Sequence, residues 1–237
     1  MGRGHHHDST ERPLTKTTVF WMSPCQKTVY RRHHDIVVHD TTFSANRFDM
    51  QLQCFVVVDS AFKSRLVACA LTLGGKLADY EWALRQLMVA VNNKAPKAIM
   101  VGRDPAMDSA CFSILPQTRI INCMWHGRQN LRRMVRPHLV AGWGRFTKEF
   151  EVACRPLLPA EFDRRWETLC QTFGDRDVGV ITRYLKRLYK DRLQWAWPWV
   201  RTSFTASMQS TQRVEKLNHV VKYMGLQSNR HLRKSSR

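Results

Sequence analysis

Gln53-Cys54-Phe55-Val56-Val57-Val58 is a near-continuous apolar run of strand length, the pattern of a strand buried on both faces. Two further strand signals flank it. Ile36-Val37-Val38 leads into Asp40-Thr41-Thr42-Phe43, and Leu66-Val67-Ala68-Cys69-Ala70-Leu71 follows the turn Asp59-Ser60-Ala61-Phe62-Lys63-Ser64. Connections this short predict an antiparallel meander. Gly74-Gly75 ends it. Leu77–Val91 has helical periodicity, Lys97-Ala98-Ile99-Met100-Val101 is a fourth strand, and Asp104-Pro105 starts a helix to about Phe112, with Asp as N-cap and Pro at the first helical position. Arg119-Ile120-Ile121-Asn122 is a short fifth strand. Beyond it helices are expected over 127–136, 143–155, 159–172, 178–192 and about 211–223. Trp195-Ala196-Trp197-Pro198-Trp199 is either a turn or a packing wedge, with core packing favoured over a base-stacking platform.

Ahead of the meander, residues 1–30 look like a polar tail leading into a short strand at Val19-Phe20-Trp21-Met22. His5-His6-His7 in that tail is more simply incidental than a metal site. The expected organisation is a disordered polar tail over 1–18, a core over 19–126, a helical insertion over 127–209, a C-terminal core helix over 210–224 and a basic tail over 225–237. There is no 20–50 residue repeat.

The 237 residues include 38 Lys or Arg and 19 Asp or Glu, a formal charge of +19. Residues 1–126 carry 15 basic and 10 acidic side chains, and residues 127–237 carry 23 and 9. Most of the excess therefore lies in the helical half. Such a balance points to a polyanionic partner, because each cation laid on a phosphate releases condensed counterions. In Val180–Arg192, Ile181, Tyr184, Leu185 and Leu188 share one helical face, while Arg183, Lys186, Arg187 and Lys190 share the other. That basic face is either a solvated surface or a DNA-binding one. At 43% hydrophobic the chain is not wholly disordered. No run reaches the roughly 18 to 20 apolar residues of a membrane span, and the opening residues fit neither a secretory signal nor a myristoylation pattern. Seven scattered Cys fit a reducing compartment, cytosol or nucleus.

Asp40 ends the first core strand, where an α/β sheet can place a reacting group beside loops. The end of the fourth strand should lie next to it, and an acidic residue on a late helix, Glu215, could complete a site. Carboxylates converging from two strands and a helix would hold a pair of Mg²⁺ ions. Asp40 alone would be structural.

Asp40-Thr41-Thr42-Phe43-Ser44-Ala45-Asn46-Arg47, Pro96-Lys97-Ala98-Ile99, Asp104-Pro105-Ala106-Met107, Cys123-Met124-Trp125-His126 and Ser210-Thr211-Gln212-Arg213-Val214-Glu215-Lys216-Leu217-Asn218 together resemble a Mutator-like element (MULE) transposase domain, as in the far-red-impaired-response type of domesticated transposase. The resemblance covers about residues 19–222. It implies an α/β, RNase H-like mixed sheet, with a three-strand meander plus two further strands and an α-helical insertion before the last catalytic helix. It also implies a DDE triad of two Asp and one Glu that binds Mg²⁺ or Mn²⁺ and drives DNA cleavage and strand transfer in transposition and recombination. Asp40 matches the first Asp and Glu215 the Glu, so both are the implied metal ligands. The second Asp falls on Gly102. Asp104 matches a following, helix-starting Asp and is read as a cap rather than a catalytic residue. Cys123 and His126 match a Cys-x-x-His signature near the site. Zinc is not expected, since two such ligands cannot close a four-coordinate site.

The implied function is a transposase domain with catalysis impaired at Gly102. The alternative is a catalytically dead, domesticated DNA-binding protein in transcription regulation. The implied partner is double-stranded DNA in the nucleus; homo-oligomerisation is left open, and no membrane is expected.

Overall fold

The computed structural model describes residues 18–42, 50–139, 141–174, 179–203 and 205. The central run becomes β3 (Gln51–Val58), buried at all eight positions. It pairs antiparallel with β2 (Ile36–Thr42) and with β4 (Ser64–Thr72), as the short connections predict. β2 also pairs in parallel with β5 (Ala98–Val101), which pairs in parallel with β6 (Arg119–Asn122). A short edge strand, β1 (Val19–Trp21), lies antiparallel on β4. The six-stranded order is β1-β4-β3-β2-β5-β6, in which the short strand expected at Val19–Met22 joins the edge of the expected five.

Alternation divides the side chains of this sheet between two apolar layers. Val37, Phe55, Val57, Ile99 and Val101 pack with α2 (Leu77–Ala90) and α3 (Pro105–Ile114). Ile36, Val38, Cys54, Val56, Met100 and Ile121 face the other side. Asp40 falls in the second set and His39 in the first.

The tail expected over residues 1–30 is corrected by α1 (Pro24–His33). Few apolar residues betray this helix, but its start is written in the chain. Ser23 accepts from the Gln26 backbone, Gln26 returns a bond to the Ser23 backbone, and Pro24 opens the first turn, a capping box worth about 1 kcal/mol. Tyr30 anchors the helix in the core, its hydroxyl donating to the Lys94 carbonyl at 2.8 Å.

After β6 the described chain is helical: α4 (Met124–Val135), a 3-10 turn (Arg136–His138), α5 (Trp143–Cys154), α6 (Pro159–Phe173), α7 (Val180–Lys190), α8 (Arg192–Trp195) and α9 (Trp197–Val200). These helices have a core of their own, in which Phe146, Phe150, Phe162, Trp166 and Trp195 are buried. Aromatic side chains of this size contribute about 1.5–3 kcal/mol each on burial. The Trp cluster thus packs, with Trp195 stacked on Phe150 at 6.2 Å and Trp199 edge-on to Phe162 at 5.2 Å. The expected helix at 211–223, the domain segments 210–224 and 225–237, and the His5–His7 run lie outside the described residues.

Sheet and helical region are joined by an ion pair between Arg103, after β5, and Asp191, at the end of α7, at 3.3 Å. Nearby on α3, Asp108 has one carboxylate oxygen buried without a hydrogen-bond partner, and burial pushes its carboxyl up to about 6. Between the ordinary value of 3.8 and about 6 the folded chain binds more protons than the unfolded one, so stability falls as pH rises through that window. Asp108→Asn should therefore raise stability by about 1–2 kcal/mol near pH ~7.5, discounted for partial exposure. Thermal melts should show the gain fading towards pH ~4, where the aspartate is already protonated.

Candidate functional site

The parallel pairing of β2 with β5 sets Val38 against Met100. Two residues further along each strand, Asp40 stands level with Gly102. Asp40 is 6% exposed and lies opposite Cys54 of β3, which lies opposite Cys69 of β4. The thiols of Cys54 and Cys69 are 3.9 Å apart, and their mutual hydrogen bond, with burial, pushes the Cys54 thiol well above its ordinary value. A thiol raised in this way, as that of Cys54 is, is no nucleophile at neutral pH.

β6 lies beside β5 and delivers the chain into α4 next to the same place. Cys123 is the N-cap of α4 and is wholly buried. His126, in the first turn, brings its Nε2 to 3.8 Å from an Asp40 carboxylate oxygen. A Cβ placed on Gly102 would sit 3.4 Å from His126 Nδ1. The imidazole therefore spans the space between Asp40 and the side-chain direction of Gly102. The Gly102 backbone does not require glycine, since no described glycine has a positive φ.

Asp104 is not part of this grouping. One of its oxygens accepts from the Ala106 backbone at 2.9 Å, capping α3, and the other accepts from the Tyr80 hydroxyl at 3.0 Å. Tyr80 belongs to the α2 layer, on the face of the sheet opposite to that of Asp40. Its hydroxyl also accepts from Gln51 Nε2 at 3.2 Å. Nearby, His39 and Gln53 share a buried hydrogen bond at 3.1 Å, and Gln53 donates to Thr72 at 3.0 Å. Both Asp104 oxygens are thus engaged away from Asp40, in a helix cap and a tyrosine bond. Tyr80 was not anticipated from sequence. The polar pair Gln51 and Gln53 in an otherwise apolar strand was its one available signal.

The remaining expected site residues divide. Glu215 lies outside the described residues. Arg183, Lys186, Arg187 and Lys190 are all exposed along α7, whose Ile181, Leu185 and Leu188 are buried. Arg103, placed by its sequence position beside the site, instead turns its guanidinium to Asp191. For a pair of hard cations, which need several oxygen ligands, the described donors are one carboxylate and one imidazole. Among the described residues there is no group of three His, Cys, Asp or Glu that could hold a metal ion, so this donor set does not fit a two-ion centre.

The sheet thus carries an aspartate towards the end of β2, with the Cys-x-x-His turn that opens α4 beside it. Residues 36–130 match the MULE transposase domain. Over 84% of its length the chain is similar to two Arabidopsis thaliana proteins, 28% identical to Protein FAR1-RELATED SEQUENCE 4 and 26% identical to Protein FAR-RED IMPAIRED RESPONSE 1. It is also 26% identical to Protein FAR1-RELATED SEQUENCE 5 over 202 residues. The chain spans about a quarter of these relatives, 27%, 24% and 25% of their respective lengths.

The two roles weighed for Asp104 separate experimentally. Asp104→Ala should cost about 1–2 kcal/mol of stability, through removal of the cap and the stranded Tyr80 hydroxyl, whereas Asp104→Asn, which still caps, should cost less than half as much. Neither change should alter the response of the protein to Mg²⁺ or Mn²⁺ in parallel melts. A metal response abolished by Asp104→Asn alone would contradict the assignment.

Proposed function

We propose that this chain is a transposase-derived domain that binds double-stranded DNA in the nucleus and in which metal-dependent phosphodiester cleavage is impaired. The observation that carries the proposal is the position of Gly102: directly after β5, the strand paired with that of Asp40, with His126 at contact distance from where its side chain would start. A meander whose first strand pairs in parallel with the next strand supports the RNase H-like assignment of the core. In that assignment Asp40 and Glu215 would be the acidic ligands and Gly102 the vacant third place. Two cations bridged by carboxylates clamp the attacking and leaving oxygens of a phosphodiester, and loss of one such carboxylate removes that clamp.

DNA binding rests on charge that the fold leaves unneutralised. None of the ion pairs among the described residues involves Arg183, Lys186, Arg187 or Lys190. They stand on one exposed face of α7, held rigid by its buried face. Among the described residues no helix is long and apolar enough to cross a membrane.

Binding to duplex DNA should be metal-independent and steeply salt-dependent, and replacing the four α7 cations with Ala should flatten the log–log salt slope by up to about 0.9 for each phosphate left without its cation. Absence of duplex binding at low salt would reject the proposal. For catalysis, the parent chain should nick supercoiled DNA no faster than Asp40→Ala in Mg²⁺ or Mn²⁺. Gly102→Asp, alone and with His126→Ala to clear the ring, should gain divalent-ion binding by calorimetry and a nicking activity that Asp40→Ala abolishes. Nicking by the parent that Asp40→Ala removes would favour a working enzyme instead.

A further inference from the structure

Arginines in the helical region fall into two groups. Arg128 is paired with Glu151 at 2.9 Å, Arg164 and Arg165 with Glu161, and Arg192 with Asp163 at 3.8 Å. Arg132, Arg133 and Arg136, along α4 and into the 3-10 turn, are exposed and take part in none of the ion pairs among the described residues. Arg133 reaches only the Asn130 side-chain oxygen, at 3.2 Å. These three line a pocket of about 660 Å³ with Gln129, Pro137 and Trp143, and among the described residues no carboxylate lines it. Like charges gathered in one pocket repel each other, and an anion there relieves the repulsion.

Trp143 narrows the kind of anion. It is half-buried, packed on Phe146 with ring centroids 5.7 Å apart and planes 26° apart, and it forms part of the pocket wall. An isolated phosphate has no use for an indole, whereas a nucleobase stacks on one. In a duplex the bases are stacked on one another and offer the indole no free face, whereas an unpaired base does. The volume lies within the roughly 300–1,000 Å³ usual for small-ligand pockets. Arg133 also lines a neighbouring groove of about 560 Å³ with Arg187 and Lys190 of α7, whose lining includes Asp108 and Asp191 as well, Asp191 being paired with Arg103. Along α4, Arg132 lies six residues beyond His126, about 9 Å at a helical rise.

We propose that this pocket binds an unpaired nucleotide of single-stranded DNA, its phosphate held by Arg132, Arg133 and Arg136 and its base laid against Trp143. This site extends the DNA-binding reading given above and depends on it. It would let the domain distinguish a duplex carrying an unpaired tail from a blunt one.

Fluorescence anisotropy with a labelled blunt duplex, the same duplex with an unpaired tail, and the tail made abasic tests this directly. The tail should strengthen binding about tenfold, and the abasic tail should recover only part of that gain. Trp143→Ala should remove the base-dependent part while leaving blunt-duplex affinity within about twofold, and Trp143→Phe, which keeps the packing on Phe146, should retain most of it. Replacing Arg132 and Arg136 with Ala should lower the salt slope for the tail by about 0.7 for each tail phosphate left without its cation. The proposal is overturned if the tail gives no gain, if Trp143→Phe weakens blunt and tailed duplexes equally, if inorganic phosphate competes as well as a tailed duplex, or if a single-stranded RNA tail is preferred. Failure to bind any of the DNAs would remove the underlying DNA reading as well.

Discussion

The parallel pairing of β2 with β5 is the constraint on which the candidate site depends. A meander alone would leave β2 at an edge, with Asp40 at the rim and nothing beside it. Pairing with β5 makes β2 a central strand, buries Val38 and Met100 on one face, and brings two chain ends to the same level. β6 extends the parallel set by one strand and thereby places the first turn of α4 beside Asp40. The approach of His126 to Asp40, beside Gly102, follows from strand register.

The helical region depends on the sheet less than on itself. Its aromatic core is separate from both sheet layers, while Val200 of α9 packs in the second layer and Gln194 of α8 accepts from Asn122 of β6 at 2.6 Å. The Arg103–Asp191 pair ties α7 to the loop after β5, with a guanidinium whose side chain is only 12% exposed. Breaking one partner of a pair this sheltered leaves a charge poorly solvated. A residue that sequence position alone would set against bound cations is instead a strut between the two cores.

Much of this was legible in the chain. Apolar runs located β2 to β6, the short turns implied the meander, and Asp104-Pro105 announced the cap that the structure contains. The apolar and basic faces of α7 also fell as the 3.6-residue period requires. Other features were hidden for physical reasons. α1 buries mainly Tyr30 and carries a basic last turn, so its apolar pattern is faint and only its Ser23-Pro24 start could have identified it. The partners of Tyr80 and Arg103 lie 24 and 88 residues away, beyond any local pattern. The difference between Arg128, which is neutralised, and Arg132, one turn later, depends on whether α5 presents a Glu opposite. No composition or charge count contains that information.

The unstrained backbone at Gly102 carries a consequence for how such a chain persists. An L side chain is compatible with that backbone, so exchange at this position can alter the chemistry beside Asp40 without exposing misfolded surface for cellular quality control to act on.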